Sequence, residues 1–286
     1  MPDGTNLTST NWFSKERVLS YVRSIVLIAL ALIVAMPIFW MISASFKFEA
    51  DIFSFPIEWI PSNPTLHNYE AVWTEYPFAQ WYLNTFKVTF GIVLLSLTVS
   101  SMAGYAFAKL DFPGKNVLLF LYISTMMIPF ELRIIPQLTV YQLIGIQDTH
   151  WTVILPWMFN PFHIFLFRQA IMQIPSEITE SAKIDGCPQR RVFWQLMIPN
   201  VVPTIMALLI IQFVWSWNSY LAPLIFISTT AKQLIGPGIT MFVEEYSQNY
   251  GLQMAGASSA LLPILIVYLL AQRYFIEGVA MTGIKG

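Results

Sequence analysis

The amino-acid sequence predicts an all-α integral membrane protein with six transmembrane helices. Hydrophobic residues make up 56% of its 286 residues and charged residues only 11%, whereas charged residues make up roughly 25% of an average soluble domain. The mean hydropathy of +0.60 is typical of long apolar segments that alternate with short polar connections. One bilayer crossing needs about 20 apolar residues. A chain of this length therefore has room for about six or seven crossings.

Six long apolar segments are predicted to span the membrane. In chain order they are 24–43, 83–107, 117–136, 151–171, 202–227 and 255–271. Prolines at positions 129, 136, 156, 161 and 223 fall in or near these segments. A broken helix is tolerated in a bilayer where neighbouring helices or a water-filled cavity satisfy the freed backbone groups. The proline positions therefore favour a transport pathway over a simple membrane anchor.

The first apolar segment, 24–43, is predicted to be a membrane helix that the protein retains. A cleaved signal peptide is the alternative, because Ser43-Ala44-Ser45 resembles a small-residue cleavage site. The segment is longer than the roughly 7–15 apolar residues of a signal peptide, and further apolar segments follow it. Retention as the first transmembrane helix is the simpler interpretation.

The distribution of basic residues predicts that both chain termini are cytoplasmic. In this orientation eleven of the fifteen Lys and Arg residues lie on the inner side, as the positive-inside rule requires. Residues 1–23 then form a cytoplasmic N-terminal segment, and residues 24–286 form the transmembrane domain. The connection 172–201 is cytoplasmic, whereas 44–82 and 228–254 are external.

The external segment 228–254 is predicted to be a loop that projects into the outer aqueous phase. Gly236-Pro237-Gly238 indicates a turn. The stretch 244–249 is polar. The loop is therefore a candidate contact for an external partner.

The cytoplasmic connection 172–201 begins with a predicted short helix. Ser176 is positioned to cap this helix, and Glu177 and Glu180 lie near its positive N-terminal end. Gly186 supplies a stop, because glycine readily adopts the left-handed conformation that ends many helices. The segment is therefore predicted to be helical between 176 and 186.

A second short helix is predicted to follow, and the two form a helix–turn–helix outside the bilayer. Pro188 is suited to open this helix, which runs to Pro199. The small residues Ser181 and Ala182 allow another protein to approach closely. An ordinary interfacial helix is the alternative, but it would carry a basic face and large apolar residues. The connection is therefore interpreted as a docking element.

The spacing of residues in this connection matches a known motif. Glu180-Ser181-Ala182 is followed after three residues by Gly186 and, after nine more, by Leu196-Met197-Ile198-Pro199. This string resembles the EAA loop of permease subunits in binding-protein-dependent ABC importers. Four other segments are similar to the maltose-type carbohydrate branch, and the last of them resembles the tail of the second of two paired permeases: 103–115, 144–149, 217–224 and 278–286.

The resemblance implies a type I importer permease that works with other subunits. No Gly-x-x-x-x-Gly-Lys-Ser/Thr phosphate-binding loop occurs in the sequence. No cofactor is therefore expected in this chain, and ATP and magnesium are expected in partner ATPase subunits. The implied partners are a homologous permease, two ABC ATPase subunits and an extracellular or periplasmic sugar-binding protein, in a bacterial plasma (inner) membrane. The net charge of −1 predicts no nucleic acid partner.

The resemblance also implies how the connection 172–201, the EAA loop, transmits force. Closure of the ATPase dimer on ATP would push its first helix and move the spans between inward- and outward-facing states. A solvated charged surface is the alternative role for its charged residues. The implied ATPase-coupling residues are Glu177, Glu180, Ser181, Ala182, Asp185, Gly186 and Arg190.

A sugar pathway requires aromatic faces and hydrogen-bonding side chains within the spans. The candidates for this pathway are Asn84, Trp215, Trp217, Asn218 and Tyr220. Hydrogen bonding between helices is the alternative role for them, because in this family the substrate pocket can lie mostly in the partner permease. His163 is interpreted as a packing histidine, and no metal site is predicted.

The predicted function is that of a permease subunit, not an enzyme, in an ATP-driven importer for sugars, with a di- or oligosaccharide as the substrate. One alternative is an ABC importer for a non-sugar solute such as glycerol-3-phosphate. A secondary transporter is a weaker alternative, because the acidic residues cluster outside the spans. A membrane-embedded enzyme is disfavoured too, because no span carries paired carboxylates.

Overall fold

The computed structural model describes residues 12–242 and 249–283, and their regular structure is entirely helical. The helices are α1 (Trp12–Ser45), α2 (Glu49–Ile52), α3 (His67–Thr74), α4 (Phe78–Lys109), α5 (Lys115–Ser124), α6 (Phe130–Leu143), α7 (Trp151–Met158), α8 (Pro161–Met172), α9 (Ser176–Ile184), α10 (Gln189–Arg191), α11 (Ile198–Asn200), α12 (Val202–Trp217), α13 (Leu221–Phe226), α14 (Ile235–Thr240) and α15 (Tyr250–Gly283). The predicted all-α class is confirmed.

Three helices of the described chain are each long and apolar enough to cross a bilayer. They are the part Arg17–Ser45 of α1, the whole of α4, and the part Tyr250–Leu270 of α15. They correspond to the first, second and sixth predicted spans. Residues 17–42 of α1 include no buried side chain, as expected for a helix whose sides face lipid. Ser43, Ala44 and Ser45 at its end are buried.

The other three predicted spans are broken helices. Residues 115–127 and 130–143 form a pair bent by 104° at Pro129, which lacks a backbone N–H group. The third predicted span, 117–136, is thus interrupted at one of the prolines noted in the sequence, and its helical part extends beyond position 136 to Leu143. The fourth predicted span is divided between α7 and α8, because Asn160 caps α8 through the Phe162 N–H at 3.0 Å. The fifth is divided between α12 and α13.

The central helix is α4, which packs against α7, α8, α12 and α14. Its contact with α8 carries small residues four positions apart, Ser96, Ser100 and Gly104, all of which lie against neighbouring helices. A Cβ atom on Gly104 would lie 2.6 Å from Cβ of Phe167. Small residues allow two membrane helices to approach closely. The Ser96 hydroxyl also lies 2.9 Å from Nδ1 of His163, which is a buried packing histidine as predicted.

Buried apolar side chains form two large clusters at opposite ends of α4. One surrounds Tyr105 and includes residues of α8, α9 and the segment 192–201. The other surrounds Phe78 and Trp81 and includes residues of α3, α14 and α15. Each end of the central helix is therefore held by a connection that folds back over it.

The segment Ile235–Thr240 is a short buried helix, not the projecting turn predicted from Gly236-Pro237-Gly238. Gly238 lies directly on the ring of Trp81, where a Cβ atom would overlap the indole. The prediction was wrong because a Gly-Pro-Gly string also suits close contact with an aromatic ring. Residues 243–248, which hold most of the predicted polar stretch, lie outside the described residues.

Two carboxylates hold the connecting segments 44–82 and 228–254 in place. Asp148 accepts hydrogen bonds from the backbone N–H groups of Ser228 and Thr229, both at 2.9 Å, and from Nζ of Lys232 at 2.8 Å. The Lys232 ammonium and the Thr229 hydroxyl hold the pKa of Asp148 well below its usual range. Glu49 accepts from the backbone N–H groups of residues 250 and 251 and so caps α15.

Candidate functional site

The first helix of the EAA loop, α9, ends at Ile184 and is followed by a left-handed turn at Gly186, whose φ is +69°. The Gly186 N–H group donates to the Lys183 carbonyl at 3.0 Å, and the Cys187 N–H group donates to the Ala182 carbonyl at 2.9 Å. This pair of bonds is a Schellman motif, which satisfies the last carbonyl groups of a helix. The predicted stop is therefore present in the structure.

The start of α9 differs from the prediction. Ser176 is the first residue of the helix and makes no side-chain cap, so its predicted role as the capping residue is wrong. Its carbonyl group instead accepts from the hydroxyl of Thr179 at 2.7 Å. Pro175 precedes it with extended backbone angles, and proline restricts the chain to the geometry that leads into a helix.

The faces of α9 differ sharply in exposure. Thr179 and Ala182 are buried, and Ala182 belongs to the cluster around Tyr105. The small size of Ala182 therefore serves contact within this chain, whereas its predicted role in docking would need an outward position. The remaining predicted coupling residues are exposed: Glu177, Glu180, Ser181, Asp185, Gly186 and Arg190.

Sequence reasoning missed the exposed apolar side chains of the EAA loop. Ile184 is 87% exposed and Trp194 is 48% exposed. A helix has 3.6 residues per turn, so Ile184 lies far around α9 from the buried Thr179 and Ala182. The helix is short and mostly polar, and Ile184 is an apolar residue away from its buried side. This position was the signal that could have identified Ile184. Together with the exposed acids, it forms a mixed apolar and charged surface.

Polar bonds fasten the EAA loop to the end of α4. The Tyr105 hydroxyl donates to Oε1 of Gln189, and Nζ of Lys109 donates to the carbonyl of Ile174 at 2.6 Å. The rings of Tyr105 and Phe193 are also in contact, with centroids 5.4 Å apart. These contacts lie before and after α9 in the chain. The loop and the central helix are therefore joined on both sides of α9.

A cavity of about 770 Å³ opens between the broken helices, and we call it the aromatic cavity. Its walls come from α5 to α8, α12 and α13. The indole rings of Trp157 and Trp215 stand side by side with centroids 6.1 Å apart. The volume of the aromatic cavity lies within the range of about 300–1,000 Å³ for small-molecule sites. The three helix breaks thus border one space that is large enough for a solute.

The sequence model of the family described as "Binding-protein-dependent transport system inner membrane component" matches residues 96–280. The chain belongs to this family. It is a permease subunit of the inner membrane and not an enzyme. The matched range includes α8, the EAA loop and every residue that lines the aromatic cavity.

Named relatives of this permease are similar along almost the whole chain. The arabinooligosaccharides transport system permease protein AraQ of Halalkalibacterium halodurans is 34% identical, covering 94% of this chain and 98% of that protein. The sn-glycerol-3-phosphate transport system permease protein UgpE of Yersinia pestis is 30% identical, covering 89% and 93%. A chain in the crystal structure of a bacterial ABC transporter for the acidic polysaccharide alginate has the same fold, with a TM-score of 0.81, 21% identity and coverage of 96% and 100%.

The permease does not bring the five predicted pathway residues together. Trp215 lines the aromatic cavity. Asn84 is buried and donates to the carbonyl groups of Ala231 and Gln233 at 2.9 and 3.1 Å. Trp217 is buried and donates to the Ala260 carbonyl at 2.9 Å. Asn84 and Trp217 thus form hydrogen bonds within the chain, which was the alternative to a role in the sugar pathway.

The two other candidates, Asn218 and Tyr220, are exposed and do not line the aromatic cavity. Asn218 donates to the carbonyl of Val214 in its own helix at 2.9 Å. Sequence reasoning missed several polar residues that do line the cavity, among them Arg133, Gln137 and Asn160. Arg133 and Gln137 lie four positions apart on α6, and this helical spacing was the signal that could have paired them.

Proposed function

We propose that this permease forms one half of the translocation pathway of an ATP-driven importer for sugars, with a di- or oligosaccharide as the substrate. The observation that carries the proposal is the EAA loop, which exposes a charged surface and is fastened to the central helix α4. This helix packs in turn against α7, α8 and α12, which line the open aromatic cavity. Aromatic walls suit the apolar faces of sugar rings, and polar groups between them bind hydroxyls. The arabinooligosaccharide relative supports this substrate class.

In this proposal α9 enters a cleft of an ABC ATPase subunit. Glu177, Glu180, Asp185 and Arg190 pair with charges of the ATPase, and Ile184 supplies an apolar contact. ATP and magnesium bind in the ATPase subunits, because this sequence has no phosphate-binding loop. The complete importer contains a homologous permease, two ATPase subunits and an external sugar-binding protein. Movement of α9 is passed to α4 through Tyr105 and Lys109.

The proposed orientation places the EAA loop and both termini in the cytoplasm. The segments 44–82 and 228–254 are then external, and 228–254 contacts the binding protein. The positions of the two buried clusters support this arrangement, because the EAA loop and the external segments belong to opposite ends of α4. The basic residues of the sequence support it as well.

The test is ATP-driven import by the assembled complex in proteoliposomes, with the variant Glu180→Lys. We expect uptake of a labelled oligosaccharide to require ATP and the binding protein. Reversing the charge at Glu180 should weaken retention of the ATPase on purification, because this side chain is exposed on α9. Glu70→Lys on α3 is the matched control, since Glu70 is also exposed but lies outside the EAA loop. Uptake by this chain without any ATPase would contradict the proposal.

A second candidate substrate is a small phosphorylated solute. The relative named for sn-glycerol-3-phosphate transport favours it, and so does the guanidinium of Arg133 in the aromatic cavity. Labelled glycerol-3-phosphate in the same uptake assay separates this candidate from an oligosaccharide.

A further inference from the structure

One wall of the aromatic cavity carries a pair of polar side chains. Arg133 and Gln137 both line it from α6. Residues four positions apart on a helix lie one above the other on the same face. The two side chains therefore face the same part of the cavity and can contact a single solute.

Arg133 is the one charged residue among those that line the aromatic cavity. The ion pairs of the described chain join Lys115 to Asp111 and Lys232 to Asp148, so neither involves Arg133. The nearest acid in the sequence, Glu131, is two positions away, a spacing that does not place side chains face to face on a helix. The described residues thus leave this guanidinium without a carboxylate.

Gln137 provides a second polar group that lacks a partner. Its Oε1 atom is buried and has no hydrogen-bond partner among the described residues. A buried acceptor without a donor costs roughly the free energy of a lost hydrogen bond. Because this oxygen is closed to solvent, a hydroxyl group in the cavity would satisfy it once the Gln137 amide turns toward the cavity that the residue lines. The same wall therefore combines a cation that lacks an anion with an acceptor that lacks a donor.

The aromatic cavity also provides ring surfaces. Trp215 contacts both Trp157 and Phe162, with ring centroids 6.1 and 5.8 Å apart. All three line the cavity. Such rings suit the C–H faces of a pyranose or furanose ring. The cavity thus pairs aromatic surface with one guanidinium and one free amide oxygen.

We propose that Arg133 and Gln137 form a subsite for a saccharide that carries an anionic oxygen group, either a carboxylate or a phosphate. Arg133 holds the anion, because its planar guanidinium can donate two parallel hydrogen bonds to such a group. Oε1 of Gln137 accepts from a neighbouring hydroxyl. This inference rests on the proposed function and names the substrate class of the same pathway.

The test measures binding to the purified complete importer in the absence of its binding protein, so that the permease pathway alone selects the probe. The probes are a digalacturonate, a sugar phosphate and a neutral digalactose, and the method is titration calorimetry at low and high salt. We expect the wild-type complex to bind at least one anionic probe about tenfold more tightly than the neutral one. The better of the two anionic probes identifies the group.

Variants show whether the preference for an anionic probe depends on Arg133 or on the overall charge of the complex. Arg133→Gln should remove most of the tenfold preference, and Arg133→Lys should retain part of it. Gln137→Leu should weaken all three probes by a smaller factor, because it removes only a hydroxyl contact. Lys87→Gln is the control, since Lys87 is exposed on α4 and does not line the aromatic cavity. It should leave the preference unchanged.

Two results would overturn the inference without overturning the proposed function. One is a wild-type complex that imports a neutral oligosaccharide with ATP but shows no preference for either anion; the proposed function would then stand and the anionic subsite would not. The other is loss of the second permease from the Arg133→Gln complex, which would assign Arg133 to contact between subunits. A complex that imports no saccharide at all would remove the proposed function and this inference together.

Discussion

The hydroxyl group of Tyr105 in α4 donates a hydrogen bond to the side-chain oxygen of Gln189 in the EAA loop. Lys109, one turn further along α4, donates to the carbonyl of Ile174 on the other side of α9. Any displacement of α9 relative to α4 must therefore strain or break these bonds. They provide a direct mechanical link between the proposed docking surface and the helix at the centre of the fold.

The first prediction concerns this link. The double variant Tyr105→Phe and Lys109→Met removes two hydrogen bonds, each worth about 1 kcal/mol. We expect it to assemble and hydrolyse ATP but to import several-fold less solute per ATP, because α9 then moves with less effect on α4. Tyr21→Phe is the control, since Tyr21 is 68% exposed on α1. An unchanged ratio of solute to ATP would show that α4 is driven by other contacts.

The second prediction concerns the turn at Gly186. Its φ of +69° is in the left-handed region, and apart from its two chain neighbours no other residue lies within 4 Å of the position that a Cβ atom would take. Any effect of a side chain there is therefore backbone strain, about 1–2 kcal/mol for an ordinary L-residue. Gly186→Val should reduce ATPase retention on purification, whereas Gly186→Asn should reduce it much less, because Asn tolerates this region. Equal retention for the two variants would contradict a role for the turn.

The third prediction concerns the crossing of α4 and α8. A Cβ atom on Gly104 would lie 2.6 Å from Cβ of Phe167 and 2.9 Å from the backbone nitrogen of Arg168. Gly104→Ala should therefore lower the free energy of unfolding by about 1–3 kcal/mol, and with it the unfolding temperature. Gly91→Ala is the matched control on the same helix, because its Cβ atom would lie 3.4 Å from the flexible end of Ile154. Similar unfolding temperatures for both variants in detergent would refute this explanation.

The fourth prediction concerns pH and Asp148. Because the folded-state pKa of Asp148 is lowered, its contribution to stability is present above the unfolded value of about 3.9 and is lost as pH falls through the lower folded value. Asp148→Asn should therefore lower the unfolding temperature equally at pH 7 and pH 5. The difference from the wild type should shrink only below about pH 4.

A second carboxylate provides the comparison for Asp148. Asp111 pairs with Lys115 at 3.4 Å, but its side chain is fully exposed. Exposed ion pairs contribute little to stability. Asp111→Asn should thus leave the unfolding temperature nearly unchanged at every pH. If Asp148→Asn behaves in the same way, the carboxylate does not hold the external segment.

The fifth prediction concerns the segment 228–254, on either side of residues 243–248. Phe242 is buried against the rings of Tyr76, Phe78 and Trp81. Phe242→Ala should therefore destabilise the protein by about 3–5 kcal/mol.

Replacing 243–248 with a Gly-Ser linker of equal length should preserve assembly and basal ATPase activity but reduce import that depends on the binding protein. Full import by this linker variant would make these residues a passive connection.

Several features of the fold could be predicted because they depend on local chemistry. The apolar segments follow from hydropathy and length, and the stop at Gly186 follows from the freedom of glycine at positive φ. Prolines in the sequence indicated that some membrane helices would be broken. They did not indicate the 104° bend at Pro129, because the direction of that bend depends on the helices that α6 packs against. Ser176 failed as a cap because Pro175 already occupies the position before the helix.

The sequence by itself determined that this protein is an all-α membrane permease with an EAA loop, because length, hydropathy and motif spacing are properties of the chain alone. Only the tertiary structure decided that Ala182 and Trp217 face inward and that Arg133, Gln137 and Trp215 border one cavity. In a bilayer both the lipid-facing and the buried sides of a helix are apolar. Hydropathy therefore reveals a span, but its orientation depends on the helices packed against it.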